Sequence, residues 1–253
     1  VISGEKSDLS VISEDHTYAT VSEHIAYAPI KNGNFKILQG GCATEDYYWA
    51  AVINTEDYDF YAAGVYIYKF DAKTWKLLKR TQVLMLDHAN DITYRPDTNE
   101  IYVVHCYTDA RKVTVMDADT LEVKRTERSS GLQTYGFYSL TYDAERKIFI
   151  AGNGKTNMVF FDENLSFKKY KAGASTKLTT QGICSDSNYI YHVLYSTAKA
   201  PDEPYNMIYV YDSKMGNLAN KIRLSISGQE PENISVVNGA FIIGCNNSSS
   251  SAF

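Results

Sequence analysis

The chain has no long apolar run. Its hydrophobic residues come in short stretches broken by polar ones, so no segment reads as a membrane-spanning helix. Helical periodicity is nearly absent, which excludes a helical or βαβ architecture. No Gly-rich phosphate cradle, CxxC pair, HExxH or GxSxG is present, so nucleotide, zinc and serine-hydrolase chemistry have no motif behind them. Basic clusters are missing too. Lys and Arg occur as scattered singles such as Lys76, Lys79 and Arg80, and a net charge of -5 argues against a nucleic-acid partner. Cysteines number only 4, and Cys42 and Cys184 occupy one position of a repeat, as do Cys106 and Cys245. Equivalent positions in separate units lie beyond the Cα separation of about 7 Å that a disulfide can bridge, so buried free thiols are expected. The opening residues, VISGEKSDLS, lack the basic and apolar pattern of a signal peptide. Compartment stays open, with a secreted or cell-surface location preferred over a cytoplasmic one.

What the chain does have is repetition. Residues 39–52, QGGCATEDYYWAAV, and 181–194, QGICSDSNYIYHVL, match at Gln, Gly, Cys and a following Tyr without a gap. Looser copies begin NDITY at Asn90 and YSLTY at Tyr138, and a fragment, ENISVVNGAFIIGC, begins at Glu232. Starts spaced by roughly 40 to 50 residues are the mark of stacked supersecondary units. The 21 Tyr suit half-buried pleated surfaces.

Each unit reads as four short strands with turns between them. The second runs ITY, turn RPDTNE, IYVVH, loop CYTDAR, KVTVMD, turn ADT, LEVKRT, which is an antiparallel meander. Asp71, Asp117, Asp162 and Asp212 fall at one position, just after the third strand, where an Asp carboxylate fixes a tight turn by accepting from N–H groups two residues on. The stretch IYVVH followed by KVTVMDADTLEVKRT resembles the repeat of the YVTN and NHL-like β-propeller superfamily, each copy of which forms a four-stranded blade. The resemblance implies fold and leaves chemistry open. The expected architecture is therefore all-β: one five-bladed propeller domain over 1–253, of four-stranded antiparallel blades starting near 39, 90, 138, 181 and 232. The fifth copy ends after two strands, so residues 16–30, HTYATV and HIAYAPI with a turn between, are expected to complete the last blade and remove exposed sheet edges.

In a propeller the first strand of each blade lines the central channel. The alignment puts Gln39, Asn90, Tyr138, Gln181 and Glu232 in one ring, with Gly40, Asp91, Ser139, Gly182 and Asn233 one step further in. Strands elsewhere are apolar, so hydrogen-bonding residues at one equivalent position need a wet channel or a ligand. Candidate ligand-binding residues are Gln39, His88, Asn90, Asp91, Tyr138, Ser139, Gln181, Tyr195, Glu232 and Asn233. Blades two and five replace the QG start by HAND (88–91) and EPEN (230–233), which brings in charge. His88, Asp91 and Glu232 are the candidate catalytic acid and base. No cofactor is required by this pattern. Oxygens of Asp91, Glu232 and Asn233, with Asn90, would suit Ca²⁺, which takes about six to eight oxygen ligands. Five-bladed glycosidases need carboxylates on three blades, and only Asp91 and Glu232 occupy the ring. A fainter resemblance, in QG-type strand starts, links the chain to five-bladed plant-type glutaminyl cyclases, with too few shared positions to transfer residues. Loops 54–64 and 196–206 are long and rich in Tyr and acid.

The function expected from these residues is non-enzymatic binding of a small molecule, glycan or peptide at the polar channel mouth. The alternatives are a metal-assisted hydrolase or cyclase using the same residues, and a scaffold that binds a protein partner through outer strands or loops.

Overall fold

The protein, seen as a computed structural model describing residues 36–54, 64–131, 136–197, 205–224 and 229–247, is a β-propeller. The first sheet contains β1 (Lys36–Ala43), β2 (Tyr47–Asn54), β3 (Gly64–Asp71) and β4 (Leu77–Arg80), with the short β5 (Leu84–Met85) also on β3. The second holds β6 (Asp91–Arg95), β7 (Glu100–Val104), β8 (Lys112–Asp117) and β9 (Val123–Arg128). In the third are β10 (Ser139–Asp143), β11 (Ile148–Gly152), β12 (Met158–Asp162) and β13 (Phe167–Lys171). The fourth has β14 (Thr179–Ser185), β15 (Tyr189–Tyr195), β16 (Met207–Asp212) and β17 (Leu218–Arg223), and a fifth sheet pairs β18 (Gln229–Val237) with β19 (Ala240–Asn247). Every pairing is antiparallel, so four complete blades and a two-stranded sheet are described. The hairpin expected at 16–30 lies outside the described residues.

Strand order follows chain order in each blade, the order of an antiparallel meander. The four repeated aspartates make the turn between third and fourth strands. Asp71 accepts from the N–H groups of Lys73 and Thr74, Asp117 from those of Asp119 and Thr120, Asp162 from those of Asn164 and Ser166, and Asp212 from those of Met215 and Asn217. These donors hold each carboxyl below its ordinary pKa.

Packing is between blades. Trp49, Ile67, Ile92 and Ile101 fill the space between the first and second sheets, and Tyr102, Phe149 and Phe161 that between the second and third. Phe160, Ile183 and Tyr209 do so between the third and fourth, and Tyr191, Ile208 and Ile234 between the fourth and fifth. Leu38, Tyr48 and Tyr68 pack with Ile242, joining the fifth sheet to the first. The inner strands close on one another in the same order: β1 on β6, β6 on β10, β10 on β14, β14 on β18, and β18 on β1. All four cysteines are free, as their equivalent positions implied.

A ring this narrow forces inner strands together, which explains the glycine of the QG starts. A Cβ on Gly40 would lie 2.6 Å from the Asp91 backbone, and one on Gly182 would lie 2.6 Å from Cα of Asn233. Each glycine thus makes room for the backbone of the next blade's inner strand. Gly182→Ala is expected to cost about 1–3 kcal/mol through overpacking, read from the urea midpoint; an unchanged midpoint would mean that the ring can widen freely.

Candidate functional site

The inner strands carry polar residues at two levels, and the structure gives the two levels different work. At the lower level Asp91 is buried, and its carboxylate lies against backbone donors from three neighbouring strands. Oδ2 accepts from the N–H of Leu140 on β10 at 3.1 Å and of Ile183 on β14 at 3.3 Å, Oδ1 accepts from Ile92 at 2.9 Å, and the N–H of Gly41 on β1 also faces the group. Burial raises its pKa well above the ordinary value, and the N–H donors offset part of that rise. Asn233, fully buried, donates to the Gln39 carbonyl at 2.9 Å and accepts from the Tyr48 hydroxyl at 3.0 Å, which ties β18 to the first blade. Ser139 is buried on β10, where its Oγ fills the space that a Cβ on Gly152 would take, beside His192 of β15. Two residues further along the same strands, Thr93 accepts from the N–H of Tyr142, and Ser235 from that of Ala43. This hydroxyl row joins blade to blade and was not among the expected residues, although a Thr or Ser two positions after the ring is written in the sequence.

The upper level opens into a cavity of 430 Å³. Six of the expected residues line it: Gln39, His88, Asn90, Tyr138, Gln181 and Glu232. Asp91, Ser139 and Asn233 lie outside the lining, because the inner strands pass so close at their level that side chains there meet backbone. β-Bulges in β1, β14 and β18 fall where Gln39, Gln181 and Glu232 turn toward the cavity.

One wall is acidic. Glu230 and Glu232 sit on β18, Gln181 donates to Glu230 at 3.1 Å, and Asn246 of β19 donates to Glu232 at 2.7 Å. Burial, then the neighbouring Glu230, raises the Glu232 carboxyl well above its ordinary pKa, and burial raises Glu230 likewise. Tyr195, at the end of β15, lies behind this wall rather than in the lining; burial and then the Glu230 and Glu232 charges push its hydroxyl pKa up. Among the described residues that line the cavity, none is Lys or Arg.

The opposite wall comes from the second blade. His88 is edge-on to Tyr107 at 4.8 Å, and Tyr107 and Tyr138 are both partly exposed at the mouth. Burial lowers the His88 pKa to about 4, with Asp87 opposing, so the ring is neutral at pH 7. Asp87 clamps the neighbouring loop by accepting from the N–H groups of Tyr107 and Thr108 at 2.8 and 2.7 Å. Asp87, Ala89 and Cys106 all hold positive φ, of 57°, 47° and 99°. Such strain in non-glycine residues persists where the surroundings impose it, and here it surrounds the candidate ligand wall. Asn90 links this wall to the third blade by donating to the Tyr138 carbonyl at 2.7 Å. Cys106 and Tyr107 enter the lining from an irregular loop, which no strand period could have placed there.

Among the described residues, no three His, Cys, Asp or Glu side chains converge as a metal site would require. Asp91 and Asn233, two candidate Ca²⁺ ligands, spend their oxygens on backbone N–H groups and the Tyr48 hydroxyl. Among the described residues no helix is long and apolar enough to cross a membrane. Much of loops 54–64 and 196–206 lies outside the described residues.

No protein-family model and no curated protein sequence matches the chain. Solved structures do. The glutaminyl cyclase of Myxococcus xanthus superposes with a TM-score of 0.59 at 12% identity, over 88% of this chain and 91% of that one. The Malassezia sympodialis allergen Mala s 1 superposes with a TM-score of 0.49 at 13% identity, over 84% of this chain and 72% of that one. At such identities the likeness to the cyclase is one of fold.

Proposed function

We propose that the protein is a five-bladed propeller with YVTN/NHL-like blades, and that it binds a small polar ligand bearing a positive charge in the 430 Å³ cavity. The observation that carries this reading is the wall holding Glu230 and Glu232 with no Lys or Arg in the lining. Glu232 is buried and Glu230 half-buried, and burial raises the pKa of both carboxyls, so their charged forms are disfavoured in the empty cavity. A ligand ammonium restores their charge, and the polar rim of Gln39, Asn90 and Gln181 orients the rest of the ligand. Tyr107 and Tyr138 at the mouth offer ring faces to the same cation. Two carboxyls fall short of the roughly six to eight oxygens that calcium prefers, so an organic cation fits the wall better.

Titration calorimetry with matched small amines, alcohols and carboxylates, and with Ca²⁺, tests this. Amines are expected to bind, and Gln39→Ala with Gln181→Ala to weaken them about tenfold with little change in Tm, since both side chains line the cavity rather than the cores between blades. Equal binding of amines and carboxylates, or full affinity in the double variant, would overturn the reading.

A second reading is favoured by Glu230 and Glu232, whose pKa values burial raises, opposite a neutral His88 in one cavity: carboxyls so shifted are suited to acid and base roles. The Myxococcus xanthus neighbour is a glutaminyl cyclase, which makes glutaminyl peptides the first substrates to try. A cyclised product lighter by ammonia would establish catalysis, and an unchanged peptide would leave binding as the function.

A further inference from the structure

The basic residues that look scattered along the chain are gathered by the fold. The outermost strands β4, β9, β13 and β17 carry ten Lys and Arg against a single acid, Glu127, in a chain of net charge -5. Charge on an edge strand protects it from pairing with another chain, and that alone explains a mixed or balanced edge. Blade two is balanced: Lys124 and Arg125 pair with Glu100, Arg125 also with Glu127, and Arg128 with Asp109. The stretch from blade three to blade four is not.

There Lys169 of β13 donates to the Lys214 carbonyl at 2.9 Å, and Lys171 donates to Asn217 at 2.8 Å. Blade three's edge therefore runs directly onto the turn from which β17 departs, and β17 carries Lys221. The ammonium of Lys169 lies 4.3 Å from the Phe160 ring centre and that of Lys221 lies 4.7 Å from Tyr209, two aromatics of one inter-blade core. Among the described residues, none of Lys169, Lys171, Lys214 and Lys221 is paired with a carboxylate. Asp212, the acid of that turn, is spent on the N–H groups of Met215 and Asn217.

We propose that this edge, Lys169–Lys171–Lys214–Lys221, is a binding track for a flexible, linear anionic polysaccharide. The cations follow one another along an edge, a turn and a second edge instead of converging on a point, so a single anion meets only one or two of them, whereas a chain of repeating charges meets all. A duplex nucleic acid, with a persistence length of about 50 nm, is too stiff to follow a curved blade edge. Phe160 and Tyr209 are covered by the lysines and offer no free face to unpaired bases. The track lies on the outer rim and stands independently of the channel cavity.

Heparin serves as the sulfated polysaccharide probe, with binding measured by calorimetry and by elution from immobilised heparin across a salt gradient. Lys169→Glu with Lys171→Glu, and separately Lys214→Glu with Lys221→Glu, are each expected to weaken binding about tenfold or more and to shift elution to lower salt. Lys124→Glu with Arg128→Glu changes the net charge equally on the balanced blade and is expected to leave affinity within about twofold. Charge reversal keeps every edge charged, so solubility should hold in all three variants and Tm in the two track variants, which separates a binding track from edge protection; the blade-two variant loses its pairs to Glu100 and Asp109, so its lower Tm is measured and its affinity read well below that temperature. Three results would overturn the proposal: no retention of the unaltered protein, equal loss in the blade-two variant, or tighter binding of single-stranded DNA or anionic vesicles than of heparin.

Discussion

Asp91→Ala should remove about 4 kcal/mol or more of stability and lower Tm by roughly 10 °C or more. The carboxylate accepts from Ile92, Leu140 and Ile183 and faces the N–H of Gly41, which belong to four of the inner strands. Alanine leaves those donors buried and without a partner, at about 1–3 kcal/mol each, although the terms will not add fully because the strands can shift. Water cannot readily restore the bonds, since the backbones pass within van der Waals distance of Gly40 at this level. Against a total stability of about 5–15 kcal/mol, such a loss leaves the ring marginal. Asp91→Asn keeps one accepting oxygen but turns an NH₂ group toward backbone donors, so it should fall between wild type and Ala. Chemical denaturation of the three proteins decides it. A loss below about 1 kcal/mol for Asp91→Ala would show that the neighbouring strands hold each other without this carboxyl.

The sequence announces the strand pattern because the repeat supplies the same test several times over. The Asp turns at 71, 117, 162 and 212 recur, each carboxylate accepting from N–H groups two to five residues on, so alignment alone could assign them a structural role. Ring membership was legible for the same reason, and Gln39, Asn90, Tyr138, Gln181 and Glu232 all reach the cavity. What alignment cannot give is depth. Asp91 and Asn233 differ from those residues by one position in an alternating strand, and that one step carries them from the cavity into contact with neighbouring backbone. The close approach of Gly40 to the Asp91 backbone, and of Gly182 to the Asn233 backbone, is a relation between adjacent strands, invisible along a single one. Tyr107 escaped for a different reason: its position follows from the clamp of Asp87 on a loop 20 residues away, a contact no periodicity encodes. The basic edge likewise exists only once strands far apart in sequence are placed side by side.

Glu232→Gln should have opposite effects on stability and on binding. The side chain is buried, its pKa is raised well above 4.5 by burial and then by Glu230, and Gln keeps the oxygen to which Asn246 donates. Because the folded protein holds this proton more tightly than the unfolded chain, the favourable contribution is complete below the ordinary glutamate value and is lost as pH rises toward the folded one. Asp91 and Glu230 act in the same direction. Burial of His88, His105 and His192, whose pKa values are lowered to about 4, works the other way, because the unfolded chain protonates these rings first as pH falls below about 6.5; the carboxyl contribution is therefore read from the difference between variant and wild type at each pH. At lower pH the depressed carboxyls, Glu100 at about 2 and the four turn aspartates, add to the loss of stability as they take up protons. The Gln variant removes the titrating group, so it should be more stable than wild type at pH 7, by an advantage that shrinks on acidification. Its amine affinity should nevertheless fall about 10- to 100-fold, since a charge-assisted hydrogen bond becomes a neutral one. A residue that destabilises the empty fold while supporting binding is placed there for the ligand. If Glu232→Gln lowers Tm at pH 7, or binds amines as wild type does, the acidic wall is part of the scaffold and the cationic-ligand reading fails.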